Sequence, residues 1–144
     1  SLAAFLVWNW YPAKLFMGDI GSTFLASINI GLISQSNNYI EAFGLILVLG
    51  PCLIDPFICV IRRFAHGENI FSPHRLHLYQ RLKLAGIRED KICMIYLIST
   101  LLLSLSTIML DIKFTVGILF LICFIGFYLD QYISKPFKKV LKQN

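Results

Sequence analysis

Ile92-Cys-Met-Ile-Tyr-Leu-Ile-Ser-Thr-Leu-Leu-Leu-Ser-Leu-Ser-Thr-Ile-Met-Leu110 runs for 19 residues without a charged side chain. As a helix this stretch extends about 28 Å, close to the roughly 30 Å of a bilayer's hydrocarbon core. A second run, Phe114 to Leu129, follows the short polar break at residues 111–113. A third, Ile40 to Ile61, is interrupted by Glu41 and Asp55, and Pro51 and Pro56 are expected to kink it. Ile20 to Ser34 is shorter and more polar. With 57% apolar and 15% charged residues and a mean hydropathy of +0.71, the chain is far more apolar than a soluble domain. The expected fold is all-α: a polytopic integral membrane helical bundle of about four spans plus a truncated amino-terminal span. Ser1 to Trp8 supplies that last piece, since as a helix it reaches only about 12 Å. Residues 1–144 therefore read as the carboxy-terminal membrane part of a longer protein, with inner loops at 9–19 and 62–91.

Charge orients the spans. If the loop at 9–19 is cytoplasmic, twelve of the 13 lysines and arginines lie inside and only Lys113 outside, as the positive-inside rule requires. Basic inner loops account for the net charge of +5 without a nucleic-acid partner. The four cysteines, Cys52, Cys59, Cys93 and Cys123, fall within or beside spans and form no CxxC pair, which argues against a zinc site or disulfide framework. Thr23, Ser27 and Gly31 form a small-residue stripe suited to close helix approach.

Chemistry is concentrated at Asn9-Trp-Tyr-Pro-Ala-Lys-Leu-Phe-Met-Gly-Asp19, followed by Ile-Gly-Ser-Thr23. Glycines at 18 and 21 let a ligand approach the backbone, and the first amides of the following apolar run attract anions. Asp19 can provide the hard oxygen that magnesium takes alongside substrate phosphates. It can equally cap a helix beginning at Ile20. Lys14 can neutralise phosphate or sit at the membrane interface, and Asn9 can serve a ligand or a turn. A Walker A loop is excluded, because Gly-Asp-Ile-Gly-Ser-Thr lacks the lysine.

The pattern NxxPAKxFMGDxGS resembles the late active-site motif of the polyprenyl-phosphate N-acetylhexosamine-1-phosphate transferases, the membrane glycosyltransferases of family 4. The resemblance implies a magnesium-dependent enzyme with Asp19 as catalytic metal ligand and Asn9 beside the nucleotide-sugar pocket. It implies transfer of N-acetylhexosamine-1-phosphate from a UDP-N-acetylhexosamine to a polyprenyl phosphate, undecaprenyl phosphate in a bacterium. The products would be a lipid-linked diphosphosugar and UMP for cell-envelope polysaccharide synthesis. The site would face the cytoplasm at the inner membrane, with membrane lipid around the spans and a homodimer left open. Ala26 departs from the common GSxxLG continuation, a matter of packing. The family's paired aspartates belong to an amino-terminal half, so this chain alone is expected to be inactive.

A second candidate is Phe71-Ser-Pro-His-Arg-Leu-His-Leu-Tyr-Gln-Arg-Leu82. Ser72 as N-cap and Pro73 as first helical residue would place His74, His77 and Arg81 on one face, with Arg75 beside them. Such a cationic helix start suits a diphosphate. The alternatives are an amphipathic helix on anionic lipid and, more weakly, a metal site at His66, His74 and His77. PHRxHLYQRL looks most like the branch that starts surface polysaccharides and lacks the triple histidine of the pentapeptide transferases. Asp55 is an intramembrane acid, hence either functional or paired with Arg62 or Arg63. Glu41 and Asp130 are expected to be solvated at span ends. A transporter or flippase component would share the spans and an acid such as Asp55, but would not require the constellation from Asn9 to Ser22.

Overall fold

The computed structural model describes residues 2–69, 71, 72, 76–137 and 140; among them every regular element is helical. The chain divides into two units, Ser1–Ile46 and Leu47–Asn144.

In the first unit, α1 (Leu2–Asn9) leads through a loop into α2 (Gly18–Ser34), and α3 (Tyr39–Val48) begins after a short turn. Gly18 opens α2 at φ +67°, a conformation that favours glycine. Along α2 the polar side chains bond their own helix: Ser27 Oγ donates to the Thr23 carbonyl at 2.9 Å and Asn29 Nδ2 to that of Leu25 at 2.9 Å. That is how a helix carries polar residues where water cannot satisfy them. Asn38 and Glu41 start α3 reciprocally: the Glu41 amide donates to Asn38 Oδ1, and Glu41 Oε2 accepts from the Asn37 amide.

The run from Ile40 to Ile61 is broken into two helices that bend by 70° at the break beside Pro51. α3 stops at Val48 and α4 (Gly50–Ala65) starts at once, with Pro51 in its first turn. Proline is tolerated there because the first amides of a helix have no intrahelical acceptor. Pro51 thus starts a helix instead of bending one, while Pro56 is absorbed inside α4.

In the second unit, α4 packs with α5 (Leu78–Leu84), α6 (Glu89–Met109) and α7 (Ile112–Tyr128), and a π-helical turn, Leu129–Ile133, prolongs α7. α6 begins three residues before the apolar run, because Glu89 and Asp90 occupy its first turn, where carboxylates complement the helix dipole. Near the α6–α7 turn the buried hydroxyls of Ser106 and Thr115 meet at 2.8 Å, an interhelical bond between small residues. Gly50 lets α4 approach α7, since a Cβ there would lie 2.8 Å from Leu119 Cδ1.

Among the described residues, two helices are long and apolar enough to cross a membrane, Glu89–Met109 and Ile112–Ile133, or three if α3 and α4 form one broken span. The expected count of about four also included α2, which has 17 residues and extends about 26 Å. Leu101, Leu105, Phe120 and Phe124 are exposed on α6 and α7, apolar surface that lipid would cover.

The charge asymmetry gives the orientation a direct test in the full-length protein without its native cysteines. Lys113→Cys should react with an impermeant thiol reagent in intact cells, and Glu68→Cys only after permeabilisation. The reverse pattern would overturn a cytoplasmic inner loop.

Candidate functional site

The first unit builds its loop around Trp8. The Trp8 carbonyl accepts from the amides of Lys14 at 2.9 Å and Leu15 at 3.2 Å, and Asn9 Nδ2 donates to the Leu15 carbonyl at 2.7 Å. Asn9 therefore closes the loop with its amide group. The Lys14 ammonium lies 6.0 Å from the Trp8 ring centroid, at the outer limit of a cation–π contact.

Asp19 lies inside the first turn of α2 and does not precede it: the N-cap is Met17, with no side-chain cap bond. The Asp19 carbonyl accepts from Ser22 Oγ at 3.0 Å, whereas no hydrogen bond or ion pair reaches its carboxylate among the described residues. It is exposed beside Gly18, at the end of a helix where the dipole favours negative charge. The capping alternative thus gives way to an available carboxylate. Among the described residues no three His, Cys, Asp or Glu side chains group to hold a metal ion. Asp19 fits magnesium as one hard ligand of a set that needs further oxygens.

The second inner segment differs from its expected form. His74 and Arg75 lie outside the described residues. The helix that carries Arg81 begins at Leu78, with His77 as its extended N-cap and residue 76 outside it. The His77 amide donates to Gln80 Oε1 at 3.3 Å, and the His77 ring stacks on Tyr79 at 5.7 Å between centroids. Arg81 does not share an outer cationic face with His77; it is buried. Its Nε donates to the Leu76 carbonyl at 3.1 Å, and its Nη1 to Ser134 Oγ at 3.1 Å and the Lys135 carbonyl at 3.0 Å. Its Nη2 pairs with Asp130 Oδ1. Burial, followed by the nearby Arg62 guanidinium, lowers the Arg81 pKa from its ordinary value.

Asp130 is accordingly half-buried and paired rather than solvated, and its second oxygen pairs with Arg62 Nη2 at 2.7 Å. Both guanidiniums lie over Phe137, at 5.8 Å for Arg62 and 5.7 Å for Arg81. His66 tilts against the same ring at 5.7 Å, and its Nδ1 is 2.7 Å from the Arg62 carbonyl. The His66 ring thus has Phe137 and the Arg62 carbonyl as partners, and the metal alternative with His74 lies partly outside the described residues. Asp55 pairs with neither expected arginine: Oδ1 accepts from the Leu78 amide at 2.8 Å and Oδ2 from the Tyr96 hydroxyl at 3.2 Å. Glu41 is exposed, as expected. A cavity of about 160 Å³, walled mainly by side chains such as Ile54, Ile58 and Leu119, opens among these helices. It is smaller than the roughly 300–1,000 Å³ of ligand pockets, too small for a nucleotide sugar.

Asp130, Arg63 and Arg81 were missed as organising residues. An acid ending a long apolar run opposite a basic loop was the available signal.

The family described as "Glycosyl transferase family 4" matches residues 1–37, the stretch that carries Asn9, Lys14 and Asp19. Over 99% of its length the chain is 32% identical to a protein of Bacillus subtilis (strain 168), "Probable undecaprenyl-phosphate N-acetylglucosaminyl 1-phosphate transferase", of which it covers 44%. The chain belongs to the polyprenyl-phosphate hexosamine-1-phosphate transferase family. It is also 34% identical, over 73% of its length and 32% of the relative's, to a phospho-N-acetylmuramoyl-pentapeptide-transferase of Carboxydothermus hydrogenoformans. A decaprenyl-phosphate N-acetylglucosaminephosphotransferase of Mycobacterium leprae is 32% identical over 66% of this chain and 28% of its own length. The chain spans less than half the length of these curated relatives. No solved structure matches it. Its apolar helices and its family make it a membrane protein.

The shared carboxylate of Asp130 can be tested by stability. Asp130→Ala should destabilise the full-length protein in detergent by about 3 kcal/mol, because it leaves the buried Arg81 guanidinium, and the half-buried one of Arg62, without their acid. Glu41→Ala, at an exposed helix start, should cost roughly 1 kcal/mol or less. Equal thermal midpoints for the two variants would overturn the organising role of Asp130.

Proposed function

We propose that the intact protein transfers N-acetylhexosamine-1-phosphate from a UDP-N-acetylhexosamine to a polyprenyl phosphate, undecaprenyl phosphate in a bacterium, at the cytoplasmic face of the inner membrane. A lipid phosphate oxygen attacks the β-phosphorus of the nucleotide sugar, the bond to the α-phosphate oxygen breaks, and UMP leaves with the electron pair. A lipid-linked diphosphosugar results, a starting point for cell-envelope polysaccharide. The branch that initiates surface polysaccharides is favoured by the Pro73-His74-Arg75 sequence, which lacks a triple histidine.

The observation that carries this reading is Asp19: an exposed carboxylate, uncommitted among the described residues, in the first turn of α2 beside a positive-φ glycine. Asp19 would hold magnesium, whose contribution is neutralisation of diphosphate charge. The first amides of α2 favour the same phosphates. Lys14 adds a positive charge from the same loop, while Asn9 holds the loop's path and so orders the nucleotide-sugar side of the site. For His74, Arg75 and His77 in the second inner segment, the cationic and imidazole chemistry of the sequence favours contact with the donor's diphosphate.

In the full-length enzyme supplied with UDP-N-acetylglucosamine and undecaprenyl phosphate, Asp19→Asn should lower kcat by roughly a thousandfold, about 4 kcal/mol, while leaving the protein folded. Arg75→Lys should lower kcat/KM for the nucleotide sugar roughly ten- to a hundredfold through loss of the planar fork. Near-normal turnover in Asp19→Asn would return that residue to a purely helix-stabilising role.

A further inference from the structure

We propose that Asp55 and Arg63 are positioning residues for transfer: from one row of α4 they grip the main chain on both flanks of the segment that carries His74, Arg75 and His77. The proposal rests on the transferase reading above and adds to it residues that touch no substrate.

Arg63 is 2% exposed, and its fork is spent on the upstream flank. Nη1 donates to the Ser72 carbonyl at 3.2 Å, while Nη2 donates to Ser72 Oγ at 2.6 Å and to the Asn69 carbonyl. Ser72 Oγ in turn donates to the Asn69 carbonyl at 2.8 Å, and the Glu68 amide returns to the Arg63 carbonyl at 3.0 Å. A guanidinium taken out of water is tolerated only where it is well bonded, so the arginine fixes the positions of Asn69 and Ser72.

Asp55 does the corresponding work downstream. The Leu78 amide that it accepts is the first of α5, one of the donors a helix start leaves without an intrahelical acceptor. The Tyr96 hydroxyl on α6 holds the other oxygen, so the carboxylate cannot swing without losing a bond. Leu76, between the two flanks, is 2% exposed and packs in a cluster with Cys59, Phe137 and Val140.

Asp55, Cys59 and Arg63 stand at i, i+4 and i+8 on α4, a row about 12 Å long. Both grips thus come from one rigid helix, and most of their bonds are to main-chain atoms. They constrain where the chain enters and leaves the segment, whatever its side chains. A donor-binding segment displaced by even about 1 Å can lose up to a hundredfold in rate. Two polar side chains on one helix, both turned toward one loop, are accounted for by that demand.

The test uses the full-length protein in lipid nanodiscs, with Asp55→Ala and Arg63→Lys as strong variants. Tyr96→Phe and Ser72→Ala serve as milder ones that keep the fold, and Lys113→Ala as the control. Amide exchange across residues 69–80 should quicken about tenfold or more in the strong variants and less in the milder ones. The KM for UDP-N-acetylglucosamine should rise roughly ten- to a hundredfold in Asp55→Ala, with the KM for undecaprenyl phosphate near the control value. Unchanged exchange in folded variants would overturn the proposal. So would faster exchange with an unaltered KM for the nucleotide sugar, or with equal losses toward both substrates. Absence of wild-type turnover, with the loop still loosened in the variants, would overturn the transferase reading and leave the grip on the loop supported.

Discussion

One carboxylate shared between two guanidiniums organises the second unit. Asp130 belongs to the π-helical turn after α7, Arg62 to the end of α4 and Arg81 to α5, so the triad ties three elements of different sequence position. Buried charges are costly to desolvate, and such a set holds only when every member is present and further bonded. Here the surplus cation is met by geometry. Both guanidiniums lie over Phe137, and Arg81 spends its remaining donors on Leu76, Ser134 and Lys135. The π-turn belongs to the same arrangement: Ser134 bonds back to the Leu129 and Asp130 carbonyls, closing the wider turn on which the acid sits.

That knot decides which cations are left for chemistry. Arg81, by spacing a partner for His77 on an outer face, is withdrawn into the interior, and Arg63 is committed to Asn69 and Ser72. Residues between those anchors are flanked by fixed chain rather than by free arginines. The basic character of the inner loop therefore has two sources that composition cannot separate: cations that build the loop and cations that face a ligand.

The membrane helices were legible because their signal is additive. Nineteen uncharged residues from Ile92 to Leu110 outweigh any local detail. The break at Leu49 was not legible, since proline reads alike as a kink inside a helix and as a start of one, and only the helix that forms around Pro51 distinguishes them. The helix expected to run from Ser72 through Arg81 is not continuous for a similar reason: residues 76 and 77 are not helical and α5 starts at Leu78. Ser-Pro is a good local start signal, but Ser72 is bonded to buried Arg63 and the Leu78 amide is capped by Asp55 from another helix. Tertiary acceptors override local capping when they supply the same bond. The partners of Asp55 and Asp130 lie 23 to 68 positions away along the chain, beyond the reach of any spacing rule.

Asp19 was legible from its neighbours, and the structure sharpens why it is distinctive. A protein in lipid must bond its polar groups internally, and the second unit does so repeatedly. Ser99, Thr100 and Thr107 donate to carbonyls of their own helix, Ser106 meets Thr115, and both Asp55 oxygens are taken. Against that economy of internal bonds, the exposed carboxylates of Asp19, Glu68 and Asp111 have no hydrogen bond or ion pair among the described residues, and of the three only Asp19 lies inside the first turn of a helix within NxxPAKxFMGDxGS. The helix dipole at α2 stabilises its charge by only about 0.3–1 kcal/mol at an exposed site, too little to explain a glycine-framed acid by itself. Stability in the second unit is served by half-buried acids that bond several elements at once; the exposed Asp19 carboxylate does no such work among the described residues.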